Sequence, residues 1–179
     1  MMIKKVFFFI SSFLLVSFQV EAQEFSELDK SPMDIIEFPS SISQTNKLAR
    51  ILYSRPQLRG RDVSTLVPDG KLWRLGANEA TELTLYSDMK LNDKSIPAGS
   101  YTLYAIPAEN KMTIIINSAT HVWGVYSYKK ENDITRITVP LVEVDELLEV
   151  FSMAFEAKDN GFHLHMGWGH FRVAVPFVK

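Results

Sequence analysis

Two β-strands and the turn between them are encoded by residues 149–168, EVFSMAFEAKDNGFHLHMGW. Apolar residues recur at every second position on both sides of the turn, which is typical of strands with one buried face. The turn is Asp159-Asn160-Gly161, because Asn and Gly tolerate the positive φ angles that tight hairpins require. We therefore predict an antiparallel hairpin with strands over residues 149–157 and 161–168.

The same β pattern extends over the chain from Pro32 onward. The clearest alternation is in residues 81–86, and Lys111–Asn117 indicates a buried strand because Ile114-Ile115-Ile116 leaves no polar face. The full set of predicted strands is 46–54, 81–86, 88–91, 100–106, 111–117, 134–139, 149–157, 161–168 and 171–178. Turn formers fill residues 92–99 and 107–110 between them.

Helix is almost absent from this prediction. The two helical candidates are short, Val63–Leu66 and Val144–Leu148. About nine strands with turn residues at near-regular spacing predict a mostly β protein. We expect a single antiparallel β-sandwich, for which a jelly-roll-like arrangement is one form.

The first 22 residues have the order of a secretory signal peptide. Lys4 and Lys5 precede a short apolar run, and Val20-Glu21-Ala22 follows with small or modest residues at the positions that signal peptidase inspects. A membrane anchor is the alternative, but the run is short of the roughly 20 residues needed to cross a bilayer. We expect cleavage after Ala22 and export to the periplasm or the extracellular space, between which the sequence does not distinguish.

The expected mature chain comprises a flexible leader, residues 23–31, and one domain, residues 32–179. It has 17 basic and 20 acidic residues, a net charge of −3, which argues against nucleic acid as a partner. There is no cysteine, so disulfides, thiolate chemistry and a cysteine-linked lipid anchor are excluded. We expect a soluble product without a membrane anchor and leave the oligomeric state open.

Cations are concentrated in the loop-rich segment 53–81. Arginine grips carboxylate or phosphate bidentately, and Trp73 adds a flat wall for a sugar or a ring. Loops on a rigid sheet commonly carry binding residues. Our leading hypothesis is a pocket for a small anionic or sugar-like ligand. Its predicted ligand-binding residues are Tyr53, Arg55, Arg61, Lys71, Trp73, Arg74, Asn78 and Glu79.

Two other functions fit the same residues, so whether the protein is an enzyme stays open. In an envelope hydrolase, Glu79 would be the acid or base, Asn78 would orient the substrate and Arg74 would stabilise developing negative charge. In a structural or protein-interaction domain, Glu79 would pair with Arg74 or Arg55. The sequence contains no nucleophile elbow, phosphate-binding loop or dinucleotide fingerprint, and we expect no cofactor.

Four elements resemble a known bacterial family. They read Tyr-Ser-Arg-Pro…Gly-Arg at Tyr53–Arg61, Leu-Val-Pro-x-Gly-Lys-x-Trp-Arg-x-Gly-Ala-Asn-Glu-Ala-Thr at Leu66–Thr81, Pro-Ala-Gly-x-Tyr-x-Leu at Pro97–Leu103, and Trp123-Gly124. The pattern is similar to the family called domain of unknown function 2911, over roughly residues 31–177. The resemblance implies a mostly β exported protein with the Arg-Trp-Asn-Glu segment as its signature, and it implies no activity.

Three of the domain's four histidines lie in residues 163–170. On a strand, His163 and His165 share a face, and two such imidazoles hold a metal only with a third ligand. Candidates for that ligand are His170, His121 and Glu156. Histidine pairs on an exposed sheet face are common without a metal, so we predict none and keep this pair as the weaker candidate.

Overall fold

The computed structural model describes residues 23–179, so the predicted signal peptide, residues 1–22, lies outside the described residues. The strands are β1 (Met33–Phe38), β2 (Ala49–Ser54), β3 (Glu82–Leu85), β4 (Met89–Leu91), β5 (Lys94–Ile96), β6 (Gly99–Ala108), β7 (Lys111–Asn117), β8 (Asp133–Lys158) and β9 (Gly161–Val178). The helices are α1 (Val63–Leu66), as predicted, and a 3₁₀ turn at Lys130–Asn132. Within residues 23–179, no helix is long and apolar enough to cross a membrane.

All nine strands join one antiparallel sheet in the order β1-β2-β3-β6-β7-β8-β9-β4-β5, which is not closed into a barrel. The predicted mostly β antiparallel fold is confirmed. Most connections are tight, and the predicted hairpin turn falls at Asp159 and Asn160. The long connections are residues 39–48, 55–81 and 118–132. The β4–β5 hairpin follows β3 closely in the chain but lies at the other end of the sheet, where β4 pairs with β9 through Lys90 and Val178.

Two short strands were not predicted. β1 pairs with β2 along all six of its residues, from Met33 opposite Ser54 to Phe38 opposite Ala49. It is an edge strand with apolar residues on both faces, because Ile36 and Phe38 pack on the core while Met33 and Ile35 are exposed, so its sequence does not alternate. β5 lies within residues 92–99, which we predicted as a turn, because a two-residue turn at 92–93 leaves enough chain to pair back onto β4.

The predicted helix at Val144–Leu148 is wrong, since this segment belongs to β8. Its carbonyl groups bond to β9 instead of to residues one helical turn away. His170 Nδ1 lies 3.0 Å from the Val144 carbonyl oxygen, and the Arg172 guanidinium donates to the Glu146 carbonyl at 3.0 Å. The separate strands predicted on either side of this segment, 134–139 and 149–157, are therefore one, and 161–168 and 171–178 likewise merge into β9.

The long β8–β9 hairpin folds back on itself. The pairing register shifts between Glu143 and Leu148 and again before Ser152, and Gly169 has a φ of +55°. The Phe162 and Phe177 rings stack at 5.0 Å although fifteen residues separate them. A straight strand of that length would hold them roughly 50 Å apart. The two halves of the sheet consequently face each other.

Apolar side chains fill the space between these halves. Tyr53 packs on Phe151 with ring centroids 5.8 Å apart, and Trp73 stacks on Trp168 at 6.0 Å. A second, smaller cluster covers the outer face of β6 and β7 and consists of Ala80, Tyr104, Ile115 and Val122. Because both faces of β7 are covered, Ile114-Ile115-Ile116 is buried throughout, as predicted.

Candidate functional site

The end of β2 docks onto β8 through two of the predicted site residues. The Tyr53 hydroxyl accepts the Met153 backbone N–H at 3.1 Å, and the Arg55 Nε donates to the Phe151 carbonyl at 3.3 Å. Arg55 also forms an ion pair with Asp34 at 2.9 Å. Burial raises the pKa of the Tyr53 hydroxyl above its ordinary value of 10.0, although the Met153 bond acts in the opposite direction. Both side chains therefore hold strands together.

Trp73 is fixed by its backbone and by its ring. Its N–H and carbonyl pair with Ala105 at 2.7 and 2.8 Å, and its Nε1 donates to the Gly76 carbonyl at 3.2 Å. Gly76 is itself confined, since a Cβ there would lie 3.0 Å from the Ser54 carbonyl oxygen. The ring is 8% exposed and stacks on Trp168. Trp73 is thus a core residue that remains slightly exposed.

Arg74 lies beside the Trp123-Gly124 motif. Gly124 has a φ of +63°, and a Cβ there would meet the Arg74 Nη1 at 3.2 Å and the Tyr126 ring at 2.9 Å. Asn78, with a φ of +59°, accepts the Gly124 N–H on its carbonyl at 3.0 Å. Two of the family-like elements are therefore in contact, and the motif glycine leaves room for the guanidinium.

A cavity of about 360 Å³ opens next to Arg74, and we call it the two-arginine cavity. Loops, the α1 region and β9 contribute its lining residues, which are Ser31, Pro56, Arg61, Leu66, Val67, Leu72, Trp73, Arg74, Gly76, Ala77, Val125 and Trp168. Three predicted site residues, Arg61, Trp73 and Arg74, thus come together here. The volume is within the range of small-molecule sites.

The lining of the two-arginine cavity carries positive charge alone. It includes two guanidinium groups and no Asp or Glu. The Arg61 guanidinium donates to the carbonyl oxygens of Leu58 and Gln57 at 2.8 and 2.9 Å, which fixes its direction. The half-buried Arg74 side chain forms no hydrogen bond or ion pair with any residue in 23–179. Its donors are therefore available to an anion.

Glu79 lines a different cavity, of about 400 Å³. Tyr53, Glu82, His121 and the exposed Trp123 line it as well. Glu82 accepts the His121 backbone N–H at 2.7 Å. The structure consequently places the predicted acid or base, Glu79, and its predicted partner, Arg74, on two different cavities.

The remaining candidates in this segment lie outside the two-arginine cavity. Lys71 is exposed and, like Asn78, is absent from the lining of both cavities. Glu79 forms no ion pair with another residue of the described chain, so the pairings with Arg74 or Arg55 that a purely structural reading expects are not observed.

Sequence reasoning missed part of the lining. Trp168 and Val125 belong to the two-arginine cavity, and Trp168 also borders a neighbouring cavity of about 450 Å³. That neighbour shares Arg61 with the two-arginine cavity. Most of the charged residues that line this neighbouring cavity are acidic, namely Asp62, Asp69, Glu109, Glu143 and Glu149. The alternation of apolar residues in 161–168 predicts that Trp168 faces the core, but it does not indicate which loop Trp168 contacts.

The predicted histidine pair, His163 and His165, lies on β9. It lines neither the two-arginine cavity nor the cavity that contains Glu79. His165 Nε2 is 2.7 Å from Glu156 Oε2, and Lys158 Nζ is 2.6 Å from Glu156 Oε1. The hydrogen bond from Lys158, and then that from His165, lowers the pKa of the Glu156 carboxyl. Glu156, one of the predicted third ligands, is thus the one that adjoins the pair.

Fold and site together define an antiparallel β protein with a cationic cavity between its loops and its sheet. The chain belongs to the family described as "Protein of unknown function (DUF2911)", whose family model matches residues 32–177. This confirms the resemblance carried by the four sequence elements. Searches of curated proteins and of solved structures returned no significant match.

Proposed function

We propose that the protein is an exported, soluble binding protein that holds a small anionic ligand in the two-arginine cavity. The observation that carries this proposal is the cavity's lining, which has the guanidinium groups of Arg61 and Arg74 and no carboxylate. A guanidinium presents a planar set of donors that matches carboxylate and phosphate. The ligand class is therefore small carboxylates or phosphates.

The state of Arg74 supports an external partner. Arg74 is partly buried, but its guanidinium nitrogens are not among the buried polar atoms that lack a partner, so its donors reach solvent and can take an external acceptor. Arg74 has no acceptor among residues 23–179, whereas the comparable cation Arg55 is paired with Asp34. An anion in the cavity would supply such an acceptor in place of solvent. The adjoining edges of Trp73 and Trp168 would contact an apolar or ring portion of the ligand.

Binding is better supported than hydrolysis. General acid–base catalysis needs a titratable group within hydrogen-bond reach of the substrate. Apart from its two arginines, the two-arginine cavity is lined by no ionisable side chain, and arginine does not give up its proton in proteins. Glu79, the proposed acid or base, lines the other cavity.

The test is calorimetric titration of the protein with inorganic phosphate, sulfate, succinate and benzoate. We expect at least one probe to bind the wild type and Arg74→Gln to weaken it. Losing a charge-assisted hydrogen bond costs about 1.5–3 kcal/mol, or roughly 10- to 150-fold in affinity.

Lys71→Gln is the matched control, because it removes the same charge three residues away from Arg74 but outside the cavity lining. Its affinity should stay within about twofold of wild type, since an exposed charge at a distance is screened. Equal weakening by both substitutions, or no binding of any probe at millimolar concentration, would reject the proposal.

Export rests on the order of residues 1–22 and is tested separately. Mass spectrometry of the protein recovered outside the cytoplasm should give a chain that begins at Gln23. An intact chain that begins at Met1 and stays in the cytoplasm would show that the protein is not exported. The proposal for the ligand site would not be affected.

A further inference from the structure

The β8–β9 hairpin brings three metal-ligating side chains to one surface. In the antiparallel register Glu156 lies directly opposite His163, and Ala154 lies opposite His165. His165 is therefore the diagonal neighbour of Glu156 two positions along β9, within reach of a long side chain. Within residues 23–179, no other three His, Asp or Glu side chains come close enough together to hold one ion.

The backbone beneath this cluster is held firmly. The residues that alternate with the two histidines, Phe162, Leu164 and Met166, are all buried in the main core. His163 and His165 consequently project to the opposite, outer face, where both are partly exposed. Such a site is open to an ion from solvent, and its two imidazoles keep their spacing because the strand fixes them.

The distances suit a transition metal after small side-chain rotations. One ligand atom from each residue lies within 4.8 Å of the other two. The closest pair is His165 Nε2 and Glu156 Oε2 at 2.7 Å, and the two imidazole centroids are 6.1 Å apart. Bonds of about 2.0–2.2 Å in a tetrahedral site place ligand atoms roughly 3.3–3.5 Å from each other. On metal binding, His165 Nε2 and Glu156 Oε2 would move apart, and the two most distant ligand atoms would move closer together.

The Lys158 ammonium group competes with a metal ion for the negative charge of the Glu156 carboxylate. Lys158 Nζ holds the Glu156 Oε1 at 2.6 Å, while Oε2 faces His165. One carboxylate oxygen is thus directed at the His165 imidazole, and the other is directed at an ammonium group that would repel a metal ion. Lys158 therefore weakens the site without occupying it.

We propose that His163, His165 and Glu156 bind one divalent transition-metal ion of the Zn²⁺, Ni²⁺ or Cu²⁺ type, with solvent completing its coordination. Two imidazoles and one carboxylate favour these ions over Mg²⁺ and Ca²⁺, which prefer sets of oxygen ligands. The remaining histidines do not take part. His170 contacts the Val144 carbonyl, and His121 lies beside Glu82.

The experiment titrates metal-free, tag-free protein with ZnCl₂ and, separately, with MgCl₂ by calorimetry. We expect one equivalent of Zn²⁺ to bind and no measurable binding of Mg²⁺. His163→Ala and His165→Ala should each weaken Zn²⁺ binding at least tenfold, and Glu156→Gln should weaken it less. His170→Ala is the matched control on the same strand and should leave the affinity unchanged.

Lys158→Ala gives a test with the opposite sign. Removing the competing ammonium should strengthen Zn²⁺ binding several-fold, a gain that a damaged fold would not produce. Circular dichroism checks that every variant is folded. Less than half an equivalent of Zn²⁺ bound by the wild type would overturn the proposal, and so would an unchanged affinity in both His163→Ala and His165→Ala. Weaker binding in Lys158→Ala would show that this residue does not oppose the metal and would also contradict it.

Discussion

Substitution of Tyr53 by Phe removes one hydroxyl group and leaves the aromatic ring in place. The ring packs edge-on against Phe151, and the residue is 2% exposed, so apolar burial is nearly unchanged. What is lost is the acceptor for the Met153 N–H, and water does not reach this site to replace it. An unsatisfied buried donor costs about 1–3 kcal/mol, which lowers the folded-to-unfolded ratio roughly 5- to 150-fold.

Urea unfolding followed by circular dichroism measures this cost. With a slope of about 2 kcal/mol/M, the midpoint should fall by roughly 0.5–1.5 M while the slope stays the same. Tyr126→Phe is the control, because Tyr126 is 85% exposed and surface changes are usually within about 0.5 kcal/mol. Anion binding should survive in Tyr53→Phe. If its stability equals that of wild type, the bond from Tyr53 to β8 is not what joins the strands, and the structural account of this residue is wrong.

Four further outcomes can be measured. Gly161→Ala should destabilise by more than about 3 kcal/mol, because Gly161 has a φ of +149° and its Cβ would lie 2.1 Å from the Phe177 carbonyl oxygen. Gly70→Ala, with a φ of +69° and nothing within 4 Å, should cost only about 1–2 kcal/mol in the same urea assay. Above pH 10 the unfolded chain gives up the Tyr53 proton before the folded protein does, since burial raises that pKa, so stability should fall as the pH rises, and less steeply in Tyr53→Phe. Removal of the exposed residues 23–28 should leave the melting temperature within about 2 °C of wild type, and a larger loss would show that they pack on the fold.

The sequence predicts those strands whose neighbours are close in the chain. Lys111–Asn117 was predicted with its observed bounds because consecutive isoleucines and flanking turn residues leave little choice. β1 could not be predicted in this way, because an edge strand forms when β2 supplies its hydrogen-bond partners. The sequence does not predict that β9 folds back either, because this bend brings together Phe162 and Phe177, which lie near the two ends of the strand.

The candidate site shows the same limit. Composition singled out the segment that contains Arg61 and Arg74, and the structure brings both to one cavity. Glu79 is only five residues beyond Arg74 but lines another cavity. Between them Leu75 and Asn78 adopt positive φ angles of 53° and 59°, which redirect the chain. Non-glycine residues seldom adopt such angles, so sequence alone does not indicate where they will occur.

The position of the β4–β5 hairpin has a consequence for the order in which the protein assembles. Ribosomes make chains from the amino terminus, and the hairpin is complete at residue 96, but its partner β9 begins only at residue 161. Because β4 pairs with β9 at Val178, the hairpin with its buried residues Met89, Leu91 and Ile96 lacks this partner strand until about 80 further residues have been made. Uncovered apolar strands of this kind associate with other chains. A chain truncated before β9 should therefore aggregate even though eight of its nine strands are present.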